Sequence, residues 1–146
     1  LAPRRRARAT MGPMASDARP VLVILAVGDV ARARAFYVAA FGWPVKVAVP
    51  VYVEMAAPGG LRVGLYERRG FGRNTGRVPV APPPDALAPV ELYLRVDDLR
   101  TAAARLASAG ARLLSAAAPR DWGDDVAYFA DPDGTVLALA APRPVS

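Results

Sequence analysis

The sequence contains neither histidine nor cysteine. That excludes imidazole acid–base catalysis, thiol nucleophiles, disulfides, and imidazole or thiolate metal ligands. Carboxylates and phenols are left for chemistry, and any metal site would have to be built from oxygen ligands. Glu91 is the sharpest candidate. It alternates with Tyr93 and Arg95 in the segment VELYLRV, so all three share one face of a strand. In an apolar pocket Glu91 would be a general base with a raised pKa, or the counter-ion of a cationic ligand. The competing reading is an ion pair. Arg95 lies about 13 Å along the strand, too far for that, so Arg62 or an arginine of a partner chain is the better candidate. Tyr66 and Tyr93 suit ligand stacking, general-acid work or plain packing. Trp122 stands among carboxylates in Asp121-Trp122-Gly123-Asp124-Asp125, as a binding edge or as the cover of a sheet end. Asp131 and Asp133 are acids within Asp131-Pro132-Asp133-Gly134, where turn geometry accounts for both. Arg68 and Arg69 offer an anion contact or a solvated charge run.

These groups need elements to hold them. A chain of 146 residues with 53% hydrophobic residues suits one folded domain. No apolar run reaches the roughly 18 residues of a membrane span. The net charge is +6, and much of it is local. Arg4, Arg5, Arg6, Arg8 and Arg19 against Asp17 make residues 1–20 a basic, solvated arm. The arm lacks the apolar core of an export signal, and Met11 and Met14 both suit a start; the expected compartment is the cytoplasm. Nucleic-acid contact through the arm is the weaker expectation.

Residues 21–28 (VLVILAVG) read as a strand, and Asp29 caps a helix over 30–41 that ends at Gly42. Strands are expected over 44–49, 51–55 and 61–66, with Pro58-Gly59-Gly60 as a hairpin turn. Residues 67–89 carry three glycines after Glu67 and the run Pro82-Pro83-Pro84, and read as an irregular linker. The pattern then repeats over 90–141: a strand over 90–96, the cap Asp98, a helix over 99–108, Gly110, and strands over 111–116, 125–130 and 135–140. Asp29 and Asp98 correspond at an offset of 69 residues. The chain is thus a doubled βαβββ unit, residues 21–66 and 90–141, of class α+β, with a curved mixed sheet around a cavity.

Val27-Gly28-Asp29, Ala35-Phe36-Tyr37 and Phe41-Gly42-Trp43, followed by Val96-Asp97-Asp98-Leu99 and Tyr128-Phe129-Ala130-Asp131-Pro132-Asp133-Gly134, resemble in order and spacing the glyoxalase/bleomycin resistance/dioxygenase (vicinal oxygen chelate) superfamily. The resemblance implies four metal-ligand positions, which fall on Leu22, Gly64, Glu91 and Ala138. Three of these have no donor, so the resemblance implies a metal-free member with no cofactor. It also implies a homodimer and a small organic ligand.

Strand alternation directs Leu22, Ile24, Gly64, Tyr66, Glu91, Tyr93 and Ala138 into the cavity, with Tyr52, Trp43 and Trp122 as further aromatic candidates. Small residues at Gly64 and Ala138 are expected to leave room where a metal would sit. Two functions stay open. One is a binding protein that sequesters an aromatic or antibiotic-like ligand. The other is a metal-free isomerase, cyclase or lyase with Glu91 as base and a tyrosine as acid.

Overall fold

Alternating apolar residues in the first strand, β1 (Leu22–Val27), send Val23, Leu25 and Val27 to one side, and Leu25 and Val27 are buried there. They face the helix α1 (Val30–Phe41), whose Oδ1 of Asp29 accepts the backbone N–H of Arg32 at 3.0 Å. Gly42 ends α1 at φ 65°, a left-handed conformation that glycine adopts without strain. β2 (Val45–Val49), β3 (Tyr52–Ala56) and β4 (Arg62–Glu67) complete the first unit. Its sheet runs β1-β4-β3-β2, with β1 and β4 parallel and the other pairs antiparallel. The structure, a computed structural model, describes residues 12–144; most of the basic arm lies outside these.

The second unit repeats the plan. β5 (Glu91–Arg95), α3 (Leu99–Ser108), β6 (Arg112–Pro119), β7 (Asp124–Ala130) and β8 (Val136–Pro142) form a sheet of order β5-β8-β7-β6, again with one parallel pair. Asp98 caps α3 through the N–H of Thr101 at 2.9 Å. The class is α+β, with each βαβββ unit forming its own four-stranded mixed sheet. One core joins them: Leu25, Phe36, Tyr37 and Leu65 of the first unit pack in the same cluster as Leu106, Phe129, Leu137 and Leu139 of the second. Both helices therefore lie on the inner, shared side, and the opposite face of each sheet is left open.

The segment 67–89 is not wholly irregular. Arg68–Thr75 form a helix, α2. Its glycines look like breakers in the sequence, but two of them are packing sites. A Cβ on Gly70 would collide with the Tyr66 ring, and one on Gly72 would come within 2.7 Å of Val78. Glu67 caps α2 through the N–H of Arg69, and Gly76 closes it in the left-handed conformation. Among the described residues, no helix is long and apolar enough to cross a membrane.

Candidate functional site

The open face of the first sheet is set by register. Leu22 pairs with Arg62, Ile24 with Gly64, and Gly64 in turn with Glu54. Cross-strand partners share a face, so these side chains lie together with Tyr52 and Tyr66, which are also partners. Glu54 is the centre of the group. The Tyr52 hydroxyl donates to its Oε1 at 2.6 Å, and Arg62 Nη1 donates to its Oε2 at 2.6 Å. The Tyr52 hydrogen bond, then that of Arg62, holds the Glu54 carboxyl below its ordinary range. Burial and the same bond to Glu54 push the Tyr52 phenol up. Tyr66 sits edge-on between Tyr52 and Phe71, with ring centroids 5.2 and 6.3 Å away.

The second sheet carries a matching arrangement. The Tyr93 hydroxyl donates to Asp124 Oδ2 at 2.6 Å, and Arg95 Nη1 donates to Asp124 Oδ1 at 3.0 Å. Trp122 Nε1 donates to the Tyr93 oxygen at 2.7 Å. Trp122 is 58% exposed and Tyr93 41%, so two aromatic groups are held in fixed positions at the surface. The Tyr93 hydrogen bond, with help from Arg95, lowers the Asp124 carboxyl, while desolvation and Asp124 raise the Tyr93 phenol. Tyr93, Ala138, Tyr128 and Ser115 form one row across the sheet. Arg120 places its guanidinium 5.1 Å over the Tyr128 ring.

The candidates predicted from sequence therefore fall into two clusters: Leu22, Ile24, Tyr52, Gly64 and Tyr66 on one sheet, and Glu91, Tyr93, Trp122 and Ala138 on the other. Among the described residues no hydrogen bond or ion pair joins one cluster to the other. Ile24 also lines a cleft of about 210 Å³ with Ala26, Val80 and Pro82. Several expectations change. Trp43 is 8% exposed and stacks on Phe41 in the shared core at 4.4 Å, on the helix side and away from both open faces. The strand after α1 starts only at Val45, and Trp43 packs back on Tyr37 and Phe41 of the helix. Glu91 is exposed and accepts no hydrogen bond among the described residues. Arg62 is taken by Glu54 and Arg95 by Asp124, so of the two ion-pair candidates for Glu91, Arg62 is spent and an arginine of a partner chain is left.

Gly64 does not leave a vacant space either. A Cβ there would lie 2.5 Å from the Tyr52 hydroxyl and 2.8 Å from its ring, so the tyrosine occupies the room an acidic side chain would need. Ala138 is fully buried beneath its row. The four positions that the resemblance assigns to metal ligands thus bring one oxygen donor group, Glu91, to the site. Divalent ions at such sites want about three or more protein ligands. Among the described residues no three carboxylates gather as a ligand set. The described residues at these four positions do not make up a metal-ligand set.

Sequence reasoning missed Glu54 and the position of Asp124 as the polar centres. Alternation along β3 places Glu54 on the face of Tyr52, but only the register with β4 brings Arg62 to it. It also read Asp131 and Asp133 as turn residues alone. Asp131 Oδ1 does accept the N–H groups of Asp133 and Thr135, at 2.8 and 2.9 Å. Its Oδ2, however, accepts from Tyr37 of α1 at 2.6 Å, and Asp133 Oδ1 accepts the N–H of Gly28 at 2.9 Å. The last hairpin is the polar joint between the two units.

The Glyoxalase-like domain family matches residues 22–140. The fold is similar to that of a glyoxalase-related enzyme from Fulvimarina pelagi (TM-score 0.75, 22% identity, 88% of this chain and 92% of that one). It is also similar to a glyoxalase/bleomycin resistance protein/dioxygenase from Nocardioides (TM-score 0.76, 20% identity, 91% and 89% covered). A third similar structure is a glyoxalase/bleomycin resistance protein/dioxygenase family enzyme from Burkholderia phytofirmans PsJN (TM-score 0.71, 17% identity, 84% and 98% covered). No curated protein sequence matches the chain.

Proposed function

The chain belongs to the glyoxalase-like domain family, and from that premise we propose that it binds a small organic molecule without a metal ion, sequestering an aromatic, antibiotic-like ligand on the open faces of its sheets. The observation that carries this reading is the hydrogen-bonded run Trp122–Tyr93–Asp124–Arg95. It fixes two exposed aromatic groups beside a half-exposed guanidinium before any ligand arrives. Rigid aromatic anchors offer large contact area at little entropic cost. The matching run Tyr52–Glu54–Arg62 supplies a second polar centre of the same kind. The donor-poor set Leu22, Gly64, Glu91 and Ala138 supports independence from a metal.

The alternative reading, an isomerase, cyclase or lyase with Glu91 as base, draws no support from the site. It needs an apolar enclosure around the carboxylate, and Glu91 is exposed. Homodimerisation and a cytoplasmic location remain part of the proposal. The partly exposed apolar Ile24, together with Tyr93 and Trp122, leaves each open face with surface for a second copy or a ligand to cover.

Titration of the chelator-treated protein with metal-free bleomycin, followed by tryptophan fluorescence, tests the reading. Saturable quenching that disappears in Trp122→Phe, with the ligand recovered unchanged, is expected. Conversion of the ligand would sink sequestration as the function. Light scattering at the same concentrations reports whether the chain is a dimer.

A further inference from the structure

We propose that the cleft along the free edge of β1, walled by the proline segment, binds a small neutral heterocycle that carries an N–H donor beside a carbonyl acceptor, as a lactam or pyridone does. β1 ends its sheet, with β4 as its neighbour on one side. The Val21 carbonyl accepts the Arg62 N–H at 3.0 Å. In a parallel ladder alternate residues bond the same neighbour, so Val21, Val23, Leu25 and Val27 turn their backbone groups to β4. Leu22, Ile24 and Ala26 turn theirs to the free edge, where they meet no hydrogen-bond partner among the described residues. Val23, Ile24, Leu25 and Ala26 all line one cleft of about 210 Å³. Residues from both faces of a strand line a single cleft where it runs along the strand's edge, so the Ile24 N–H and C=O open into it.

The far wall leaves that edge unsatisfied. Pro79, Pro82 and Pro89 line it and have no N–H. The N–H groups of Ala88 and Val90 are spent on the carbonyls of Gly134 and Ala88. An unpaired strand edge is a template for further hydrogen bonds. Ile24 offers one donor and one acceptor side by side, and a ring with the reverse pair on one edge matches both. The charged groups that line the cleft, Arg68 and Asp133, pair with each other at 3.3 Å, which favours a neutral ligand. The Ile24, Ala26, Val80 and proline side chains are apolar and suit the faces of a flat ring. Sites for drug-sized ligands hold about 300–1,000 Å³; at about 210 Å³ this cleft takes one small ring system.

Amide-detected NMR titration of the full chain with 2-pyridone and N-methyl-2-pyridone tests this. The two probes share a ring and a carbonyl and differ in the N–H donor. The expected result is saturable shifts of the Ile24 and Ala26 amide signals with 2-pyridone, and binding of the methylated ring weaker by about tenfold. Ala26→Leu fills the cleft from a half-buried position and is expected to weaken 2-pyridone by about tenfold or more. Equal binding of the two rings, shifts that do not saturate, unchanged binding by Ala26→Leu, or shifts at Tyr93 and Trp122 in place of Ile24 would overturn the proposal. So would an Ile24 signal that moves with protein concentration alone, which puts a second copy on the edge. Tighter binding of a blocked tetra-alanine peptide than of 2-pyridone would put an extended strand there and overturn it as well.

Discussion

Tyr37 on the first helix donates its hydroxyl hydrogen to Asp131 Oδ2 on the last hairpin, at 2.6 Å and 94 residues away. Both side chains are buried. The bond ties the first βαβββ unit to the second at the centre of their shared core, beside the Gly28–Asp133 contact. Loss of the phenol leaves a buried carboxylate oxygen without its donor. Tyr37→Phe is therefore expected to destabilise the chain by about 1–3 kcal/mol, read as a lower urea midpoint with an unchanged slope.

The same contact carries a pH signature. Burial holds the Asp131 carboxyl above its ordinary range, against the lowering effect of its hydrogen bonds to Tyr37, Thr135 and Asp133. The native state thus keeps a proton that the unfolded chain has already released. Stability from this group is full below the ordinary aspartate range and is lost as pH rises through the raised native value. Asp131→Asn should flatten that fall in thermal unfolding measured across the window, and an unchanged profile would contradict the account.

Glu54 has the opposite sign. Tyr52 and Arg62 lower its carboxyl in the folded state, so its contribution is present above the ordinary glutamate range and is lost as pH falls through the lowered native value. Glu54→Gln should be less stable than the native chain at neutral pH and should converge on it in acid. Parallel melting curves from pH 2 to 7 would show the convergence or its absence.

Tyr52 over Gly64 is a steric commitment. Gly64→Ala puts a methyl 2.5 Å from the phenol oxygen, and overpacking of this kind costs about 1–3 kcal/mol. Tyr52→Ala removes the obstacle. In the double variant the two losses should sum to less than the single losses added together, as a double-mutant cycle in chemical denaturation would show. Strict additivity would place Tyr52 elsewhere.

Much of this architecture is legible in the sequence. The period-2 alternation in VLVILAVG and VELYLRV, the caps at Asp29 and Asp98, and the closing glycines locate the doubled unit, because each is a local signal with a local cause. What escapes is what depends on pairing across the chain. Glu54 meets Arg62 only through the β3–β4 register, and Asp124 meets Arg95 only across the one intervening strand, β8. Gly70 and Gly72 are breakers by propensity, yet α2 forms because Tyr66 and Val78 need the space their missing side chains leave. Gly64 and Ala138 suggest vacant room by size alone. The room at Gly64 is taken by Tyr52 from a neighbouring strand, and Ala138 is covered within its row, neither of which composition encodes.

The two tryptophans report on different places. Trp43 is 8% exposed in the core and Trp122 is 58% exposed on the open face. Iodide should quench Trp122→Phe weakly and Trp43→Phe strongly, the latter measured below its lowered melting temperature. Equal quenching would contradict these placements.

The central claim is ligand binding without a metal, and it is tested most directly by equilibrium titration of metal-free bleomycin into the protein with excess chelator present. The account predicts saturable quenching of Trp122 at one stoichiometry with and without chelator. It also predicts weakening when Tyr93→Phe removes the hydroxyl that links Trp122 to Asp124. Binding that appears only when a divalent ion is restored would contradict it.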